Sequence, residues 1–351
     1  MNSSSKLPVL LGLFLASFVA AKAKALIGPS TPDPFSSINL NSITHRKEAV
    51  FNVLSFGAKL GGTKDNTQTF MKTWVAACRS KQPARVVIPS GVFLINQIVF
   101  AGPCRNTEPI VVQIDATLKG GVDISQYVSA EWILFEKING LIVTGRGTLD
   151  GQGSKVWKYN DCHVNQNCQK LPVSFKLNGI RHGLVKGLTS LNSKGNHIIG
   201  SLGKYPNEED VRGIIVRNCT LINTDNGLRI KTWADSPPSA AVGILFQDIN
   251  LINVKNPIII DQQYSCSKVC KKPPSRVRIS DVHFVNIKGT TISPVAVKLV
   301  CSKRFPCQNI EMSNVNLKYS GRPNDKALPF RSDCTNAKVG YRGLQFPAPC
   351  K

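Results

Sequence analysis

Acidic side chains are scarce in this 351-residue chain. Lys and Arg number 44 and Asp and Glu only 21, which gives a formal net charge of +23, and no Asp-Asp pair occurs. Such an excess of cations predicts an anionic partner, namely nucleic acid, a membrane surface or an acidic polymer. The hydrophobic share of 42% excludes a chain that is disordered throughout.

Apolar runs long enough to cross a bilayer are also missing. Leu7–Ala20 is apolar but short for a span, which needs about 20 residues. It follows Lys6 and precedes alternating small residues up to Ala25, a pattern typical of a secretory signal peptide over residues 1–25. The mature chain, residues 26–351, lacks an evident linker and is expected to form one domain without membrane attachment.

Metal-binding patterns are absent as well. No CxxC occurs, and the five histidines (positions 45, 163, 182, 197 and 283) are scattered, so no metal site is predicted. Nucleic acid is excluded as a partner because a secreted chain rarely meets it and no recognition motif is present. In an oxidising compartment the cysteines become disulfide candidates. Connectivity stays open, but short loops favour Cys78/Cys104, Cys162/Cys168, Cys266/Cys270, Cys301/Cys307 and Cys334/Cys350, which leaves Cys219 as a buried free thiol.

The second half of the chain repeats a short pattern of a β-branched or aromatic residue, a polar residue, Gly, Asn or Asp, and an apolar residue. The repeats begin at Val185, Val216, Phe246, Ile279 and Met312, at spacings of 31, 30, 33 and 33 residues. The units alternate with period two and lack a helical stripe, so they predict an all-β, right-handed parallel β-helix in a single domain.

Three local features refine this prediction. Asn192, Asn223 and Asn253 recur at equivalent turns, where they are expected to adopt left-handed corners and to stack as a ladder. A helix starting near Asp65 or Thr67 is expected to cap the N-terminal end of the β-helix, and the Pro-rich segment after Gly321 to cover the other end. Asn218-Cys219-Thr220 is a glycosylation sequon, which the pattern places on a strand.

Eight segments follow one another along nearly the whole mature chain, in the order FNVLSFGAKLGGTKDNTQTFMKTWVAAC, VVIPSGVFLI, GRGTLDGQG, LTSLNS, GSLGKY, NGLRIKTW, NPIIIDQQYSC and AVKLVCS. Together they resemble the plant polygalacturonases of glycoside hydrolase family 28, especially their exopolygalacturonase-like branch. The resemblance implies a secreted, monomeric, cofactor-free protein of the cell wall. It also implies a right-handed β-helix that hydrolyses α-1,4-galacturonosyl bonds in pectin with inversion.

Arg229 and Lys231 match the Arg-x-Lys of this family, and Tyr264 matches a tyrosine at its substrate groove. Alternation along a strand puts Arg229 and Lys231 on one face, where two cations could hold sugar carboxylates. The alternative reading is a pair of solvated surface cations and a structural tyrosine.

Catalytic residues cannot be assigned. Inverting glycosidases need two carboxyl groups, and the family carries its aspartates in an NTD segment and a GDD segment. Both are missing here, because LNSKGNHIIGSLG passes directly from the segment before them to the segment after them. The missing block corresponds to about two coils, and a solenoid can lose whole repeats. His197 and Asp261 read as structural residues, and Asp225 as a poor candidate for catalysis.

Three hypotheses therefore remain: a pectin hydrolase, a catalytically inactive pectin-binding protein, or a truncated or mis-spliced form of an active exopolygalacturonase.

Overall fold

The computed structural model describes residues 48–350 except 107–108, 130, 160–164, 166–170, 194–196, 265, 267–271 and 323–328. The described residues all fall within one compact unit, Pro34–Lys351. The expected signal peptide, residues 1–25, lies outside them.

The described residues form 23 strands, one α-helix and four short 3-10 helices. The α-helix, α1, spans Thr67–Cys78, and the 3-10 helices span Val53–Phe56, Ile124–Gln126, Gly153–Lys155 and Trp157–Tyr159. The strands are β1 Ala49–Asn52, β2 Ala84–Ile88, β3 Val92–Ile95, β4 Ile98–Ala101, β5 Ile110–Ile114, β6 Thr117–Gly120, β7 Glu131–Glu136, β8 Asn139–Thr144, β9 Thr148–Asp150, β10 Val173–Asn178, β11 Arg181–Lys186, β12 Thr189–Leu191, β13 His197–Leu202, β14 Val211–Arg217, β15 Thr220–Ile222, β16 Asn226–Trp233, β17 Ser239–Val254, β18 Asn256–Tyr264, β19 Val277–Thr291, β20 Val295–Val300, β21 Cys307–Tyr319, β22 Arg331–Thr335 and β23 Ala337–Phe346.

Every strand pairs in parallel with its equivalent one coil away. Strands β4, β7, β10, β13, β16, β18, β20 and β22 form an eight-stranded sheet in chain order. The other strands form a fifteen-stranded sheet, in which the long strands β17, β19 and β21 bend around a corner and join two faces. This arrangement is a right-handed parallel β-helix, as the sequence predicts.

The interior is a stack of apolar residues contributed by successive coils. Val185, Val216 and Phe246 are paired in register as expected. The repeat beginning at Ile279 was predicted wrongly, because Phe246 pairs with Phe284, and Ile279 pairs with Ala241. The rings of Phe246 and Phe284 stack with their centroids 5.3 Å apart.

The physical reason for this error is that the coils bend at more than one left-handed residue. Asp281 (φ 60°) marks an earlier bend in its strand, whereas the true equivalent of Asp248 is Asn286, whose amide donates to Asp248. A single Asp in the pattern therefore does not identify which corner it occupies.

The predicted asparagine ladder is present. Asn192, Asn223 and Asn253 have φ values of 46°, 52° and 53°. The Nδ2 of Asn223 donates to the Oδ1 of Asn192 at 3.3 Å, and the Nδ2 of Asn253 donates to the Oδ1 of Asn223 at 3.4 Å. Each amide thus offsets part of the cost of a left-handed corner by binding its neighbour.

Helix α1 closes the N-terminal end, as predicted. The N-cap residue is Asn66, not Asp65 or Thr67. The Oδ1 of Asp65, one residue earlier, accepts a hydrogen bond from the backbone N–H of Thr67 at 2.9 Å. Phe70 and Trp74 are buried against Phe93 and Phe100, so the helix hides the apolar end of the core. None of the described helices combines the length and apolar character required to span a membrane.

At the other end, β22 and β23 extend the sheets by a last partial coil. The disulfides Cys78–Cys104, Cys301–Cys307 and Cys334–Cys350 are present, and Cys219 is free and buried. Cys266 is disulfide-bonded. Its expected partner Cys270, and the expected pair Cys162/Cys168, lie outside the described residues.

Candidate functional site

The outer face of the eight-stranded sheet carries the predicted cations. Along β16, Leu228 and Ile230 are fully buried and point into the core, while Arg229 and Lys231 alternate with them on the other face. The structure therefore brings Arg229 and Lys231 together on one face, as expected from the spacing.

These cations are not solvated surface groups. Arg229 is 8% exposed and Lys231 is 6% exposed. Arg229 makes no hydrogen bond to any described residue, and its Nε is a buried donor without an acceptor. Because buried donors are nearly always paired, the Nε of Arg229, like that of Arg217, has room for an acceptor that the described residues do not supply.

The Tyr264 ring lies beside both Arg229 and Lys231. It ends β18 opposite Trp233 at the end of β16, and the two rings meet edge to face at 5.0 Å. The Nζ of Lys231 lies 4.0 Å from the centre of the Tyr264 ring, and the Cζ of Arg229 lies 5.6 Å from it. The ring thus offers both cations a partial substitute for water.

Burial makes the ammonium group of Lys231 easier to deprotonate. Burial, followed by repulsion from Arg229 and Lys176, lowers the pKa of Lys231 to about 7, against attraction by Asp261 and Glu131. Burial also lowers the pKa of Arg229, although Asp261, Tyr264 and Asp225 oppose it. Arg229 stays charged because guanidinium does not lose its proton in proteins.

Two carboxylates approach the cations, and the sequence analysis did not assign either to the site. Asp261 lies within β18 as the direct neighbour of Lys231, so its interpretation as a turn residue is corrected. Glu131, at the start of β7, accepts a hydrogen bond from the Nζ of Lys176 at 2.8 Å and another from the Oγ of Ser129 at 2.8 Å. These bonds, with the charges of Lys176 and Lys231, outweigh burial and lower the pKa of Glu131.

The carboxylates near the cations are too far apart to act together on one glycosidic bond. Asp261 and Glu131 lie four strands apart, or about 19 Å at the usual strand spacing. Asp225 directly precedes β16 and forms an ion pair with the Nζ of Lys255 at 3.3 Å. Inverting glycosidases hold their pair about 6.5–9.5 Å apart.

Among the described side chains, the remaining candidates add no acid or base to this group. His197 begins β13, but its side chain lies outside what the structure describes. Lys204 extends the cationic face, because its Nζ lies 5.8 Å from the centre of the Trp233 ring. Within the described ranges, no group of three or more His, Cys, Asp or Glu side chains is placed to hold a metal ion.

Comparison with known proteins identifies several relatives. The chain is 35% identical over 373 residues to "Exopolygalacturonase" from Platanus acerifolia, covering 86% of this chain and 97% of the relative. It is 33% identical over 374 residues to "Polygalacturonase" from Nicotiana tabacum, covering 86% and 92%. Among solved structures, an exopolygalacturonase from Thermotoga maritima matches with a TM-score of 0.39 and 15% identity, covering 88% of this chain and 95% of that one.

The alignment length reveals an internal difference. Since 86% of 351 residues is about 302, the 373-residue alignment with the Platanus acerifolia relative contains about 71 positions that have no residue in this chain. Those positions amount to about two coils, because the interval from Val185 to Val216 is one coil of 31 residues.

The family model named "Glycosyl hydrolases family 28" matches in two parts, residues 78–199 and 195–342. The two parts overlap at residues 195–199, within LNSKGNHIIGSLG. Together they cover most of the chain, and the relatives align over almost their full length. The chain therefore belongs to glycoside hydrolase family 28, the family of the polygalacturonases.

Proposed function

We propose that this protein binds polygalacturonate, the acidic backbone of pectin, on the outer face of its eight-stranded sheet and does not hydrolyse it. The observation that carries the proposal is the buried guanidinium of Arg229, whose Nε has no acceptor. A galacturonate carboxylate would supply that acceptor, and Arg can bind it through two parallel hydrogen bonds.

Lys231 would supply the second positive charge. Its side chain is buried beside Tyr264 and makes no hydrogen bond or ion pair with a described residue. A polymer with one carboxylate per sugar would therefore meet two cations fixed on adjacent outward positions of β16, with Tyr264 positioning both. The basic composition of the chain would steer such a polyanion towards it.

Loss of hydrolysis rests on the region between Ser193 and Gly200. By resemblance, the aspartates of the family belong there, and about 71 aligned positions of the Platanus acerifolia relative have no counterpart in this chain. Among the described residues, Asp261 and Glu131 lie on strands about 19 Å apart at the usual strand spacing, beyond the separation that an inverting pair requires.

Hydrolysis remains the second candidate function, because the relatives bear the names exopolygalacturonase and polygalacturonase. A mis-spliced form of such an enzyme would also lack one contiguous block. Sequencing the transcript across codons 193–200 tests the mis-splicing hypothesis directly. An additional stretch encoding NTD and GDD would favour an active enzyme over a binding protein.

We further propose that residues 1–25 direct secretion and that the mature protein acts as a monomer in the cell wall, without a cofactor. The anionic substrate favours an extracellular site where pectin is present.

Calorimetric titration with a defined oligogalacturonate tests the binding proposal. We expect saturable binding that weakens as salt rises, because exposed charges on both partners are screened. The matched control ligand is the same oligomer with its carboxylates methyl-esterified, which removes the anions and leaves the sugars. Equal affinity for both ligands would contradict a role for the two cations.

Binding should also weaken as pH rises through 7. The pKa of Lys231 is lowered to about 7, so its ammonium is charged below that pH and loses its proton above it. Galacturonate stays ionised throughout, and each pH unit above 7 should lower the affinity by up to about tenfold until the bound-state pKa is passed. Titrations from pH 5.5 to 9 measure this, and Lys231→Arg should flatten the profile because it stays charged.

A further inference from the structure

The sequon at Asn218 occupies a corner of the β-helix rather than a strand. Asn218 lies between the end of β14 and the start of β15, and its φ of 52° is left-handed. Its side chain is exposed, while Cys219 beside it is buried. The sequence placed this sequon on a strand, and that expectation was wrong because a left-handed Asn ends the strand one residue earlier.

The amide of Asn218 is free, unlike those of its neighbours on later coils. At the equivalent corner, Asn286 donates to Asp248 at 2.8 Å and Asn314 donates to Asn286 at 3.2 Å. Asn218 precedes this ladder, and only its backbone N–H, which donates to the carbonyl of Gln247, is bonded to a described residue. Its Nδ2 therefore projects without a hydrogen-bond acceptor.

The coils on the other side of Asn218 leave open space. The preceding corners are Gly187 and Gly145, with φ values of 82° and 127°. A Cβ on Gly187 would lie 2.4 Å from the carbonyl oxygen of Gly145, so a side chain is excluded there by backbone contact. Gly145, Gly187 and Asn218, with Arg146 and Lys186, line a hollow of about 450 Å³.

We propose that Asn218 carries an N-linked oligosaccharide whose first sugar lies over this hollow. The sequon Asn-x-Thr is complete, its Asn is exposed at a corner, and its amide nitrogen is unpaired. No other Asn-x-Ser/Thr occurs after residue 25.

The transfer needs a lipid-linked oligosaccharide pyrophosphate as donor and the oligosaccharide-transferring enzyme of the secretory pathway. A bond forms between the Nδ2 of Asn218 and C1 of the first sugar, and the C1–O bond to the lipid pyrophosphate breaks. The amide nitrogen gives up one proton, and the lipid pyrophosphate leaves with the bonding electrons.

The modified corner does not border the binding face. Asn218 joins the two faces that β14 and β15 contribute to the fifteen-stranded sheet, whereas Arg229 and Lys231 lie on the eight-stranded sheet. The inference depends on the secretory leader and not on the binding of polygalacturonate, so the two proposals can fail separately.

Translation of the full chain with endoplasmic reticulum microsomes tests the proposal. We expect a protease-protected product with one upward step in apparent mass that endoglycosidase H removes. Thr220→Ala should abolish the step, while Thr220→Ser, which retains the sequon, should keep it. This comparison also separates Asn218 from the sequon Asn2-Ser3-Ser4 of the leader. A protected product without the step, a step that survives in Thr220→Ala, or a chain that stays outside the microsomes would each overturn the proposal.

Peptide mass spectrometry of the unaltered secreted protein provides a second test. It requires no substitution, so misfolding of a variant cannot affect the result. Enzymatic removal of the glycan in heavy-oxygen water should deamidate position 218 and add the label there. Recovery of the tryptic peptide with unmodified Asn218 as the main species would overturn the inference.

Discussion

Purified protein should release no measurable reducing ends from polygalacturonate, even after long incubation at a concentration where binding is saturated. A positioned acid and a positioned base each contribute about 10²–10⁴-fold to such a reaction. Among the described residues, Asp261 and Glu131 are the carboxylates that act on the charge of Lys231. Their strands lie about 19 Å apart at the usual strand spacing, which is beyond the separation of an inverting acid–base pair. We therefore expect a deficit of several orders of magnitude relative to an active member of the family.

The assay needs an active family member as the positive control, with the same substrate and the same batch. Clear turnover at a rate that scales with protein concentration would contradict the proposal that the protein does not hydrolyse polygalacturonate. In that case the rates of Asp261→Asn and Glu131→Gln would show which carboxyl group acts as the acid. Activity that neither substitution lowers would come from a contaminating enzyme.

Arg229→Ala should weaken binding of oligogalacturonate by at least about thirtyfold, which corresponds to about 2 kcal/mol. The guanidinium is buried and has no protein acceptor for its Nε, so the ligand carboxylate would satisfy a group that nothing else satisfies. Arg229→Lys should retain part of the affinity, since it keeps the charge and loses the paired hydrogen bonds. Calorimetric titration measures all three proteins.

The matched control is Arg278→Ala, which makes the same change in charge at an exposed position of β19 on the fifteen-stranded sheet. If Arg278→Ala weakened binding as much as Arg229→Ala, the effect would reflect net charge and not the site. Urea unfolding should give Arg229→Ala a midpoint close to that of the unaltered protein. Removal of a buried, unpaired cation relieves a desolvation cost that offsets the packing lost.

Local rules predicted the parts of the fold and site that depend on a few adjacent residues. Alternation placed Arg229 and Lys231 on one face, and the left-handed preference of Asn predicted the ladder of Asn192, Asn223 and Asn253. The N-terminal helix followed from its start signal and apolar spacing. Each of these features is determined by residues within one coil or by the same position in successive coils.

Contacts between coils of unequal length could not be predicted in this way. Glu131 and Lys176 are 45 residues apart, and their meeting depends on the length of the loop between β9 and β10. Unequal coil length also contributed to the error at Ile279, where the bend at Asp281 resembles the true corner. Phe246 and its partner Phe284 are 38 residues apart, whereas Phe284 and Met312 are 28 apart. The burial of Arg229 and Lys231 depends on side chains from neighbouring coils. The alternation along β16 predicts which face they occupy but not how exposed they are.

The in-register stacking of the coils also fixes how the binding face can change in length. Adding or removing one coil shifts the edge of the eight-stranded sheet by one strand spacing, about 4.8 Å, and leaves the register of every other coil intact. The length of the face that we propose for polygalacturonate binding therefore changes in discrete steps of one strand. Insertion or loss of whole coils changes this length, whereas substitutions within a coil change only which side chains the face presents.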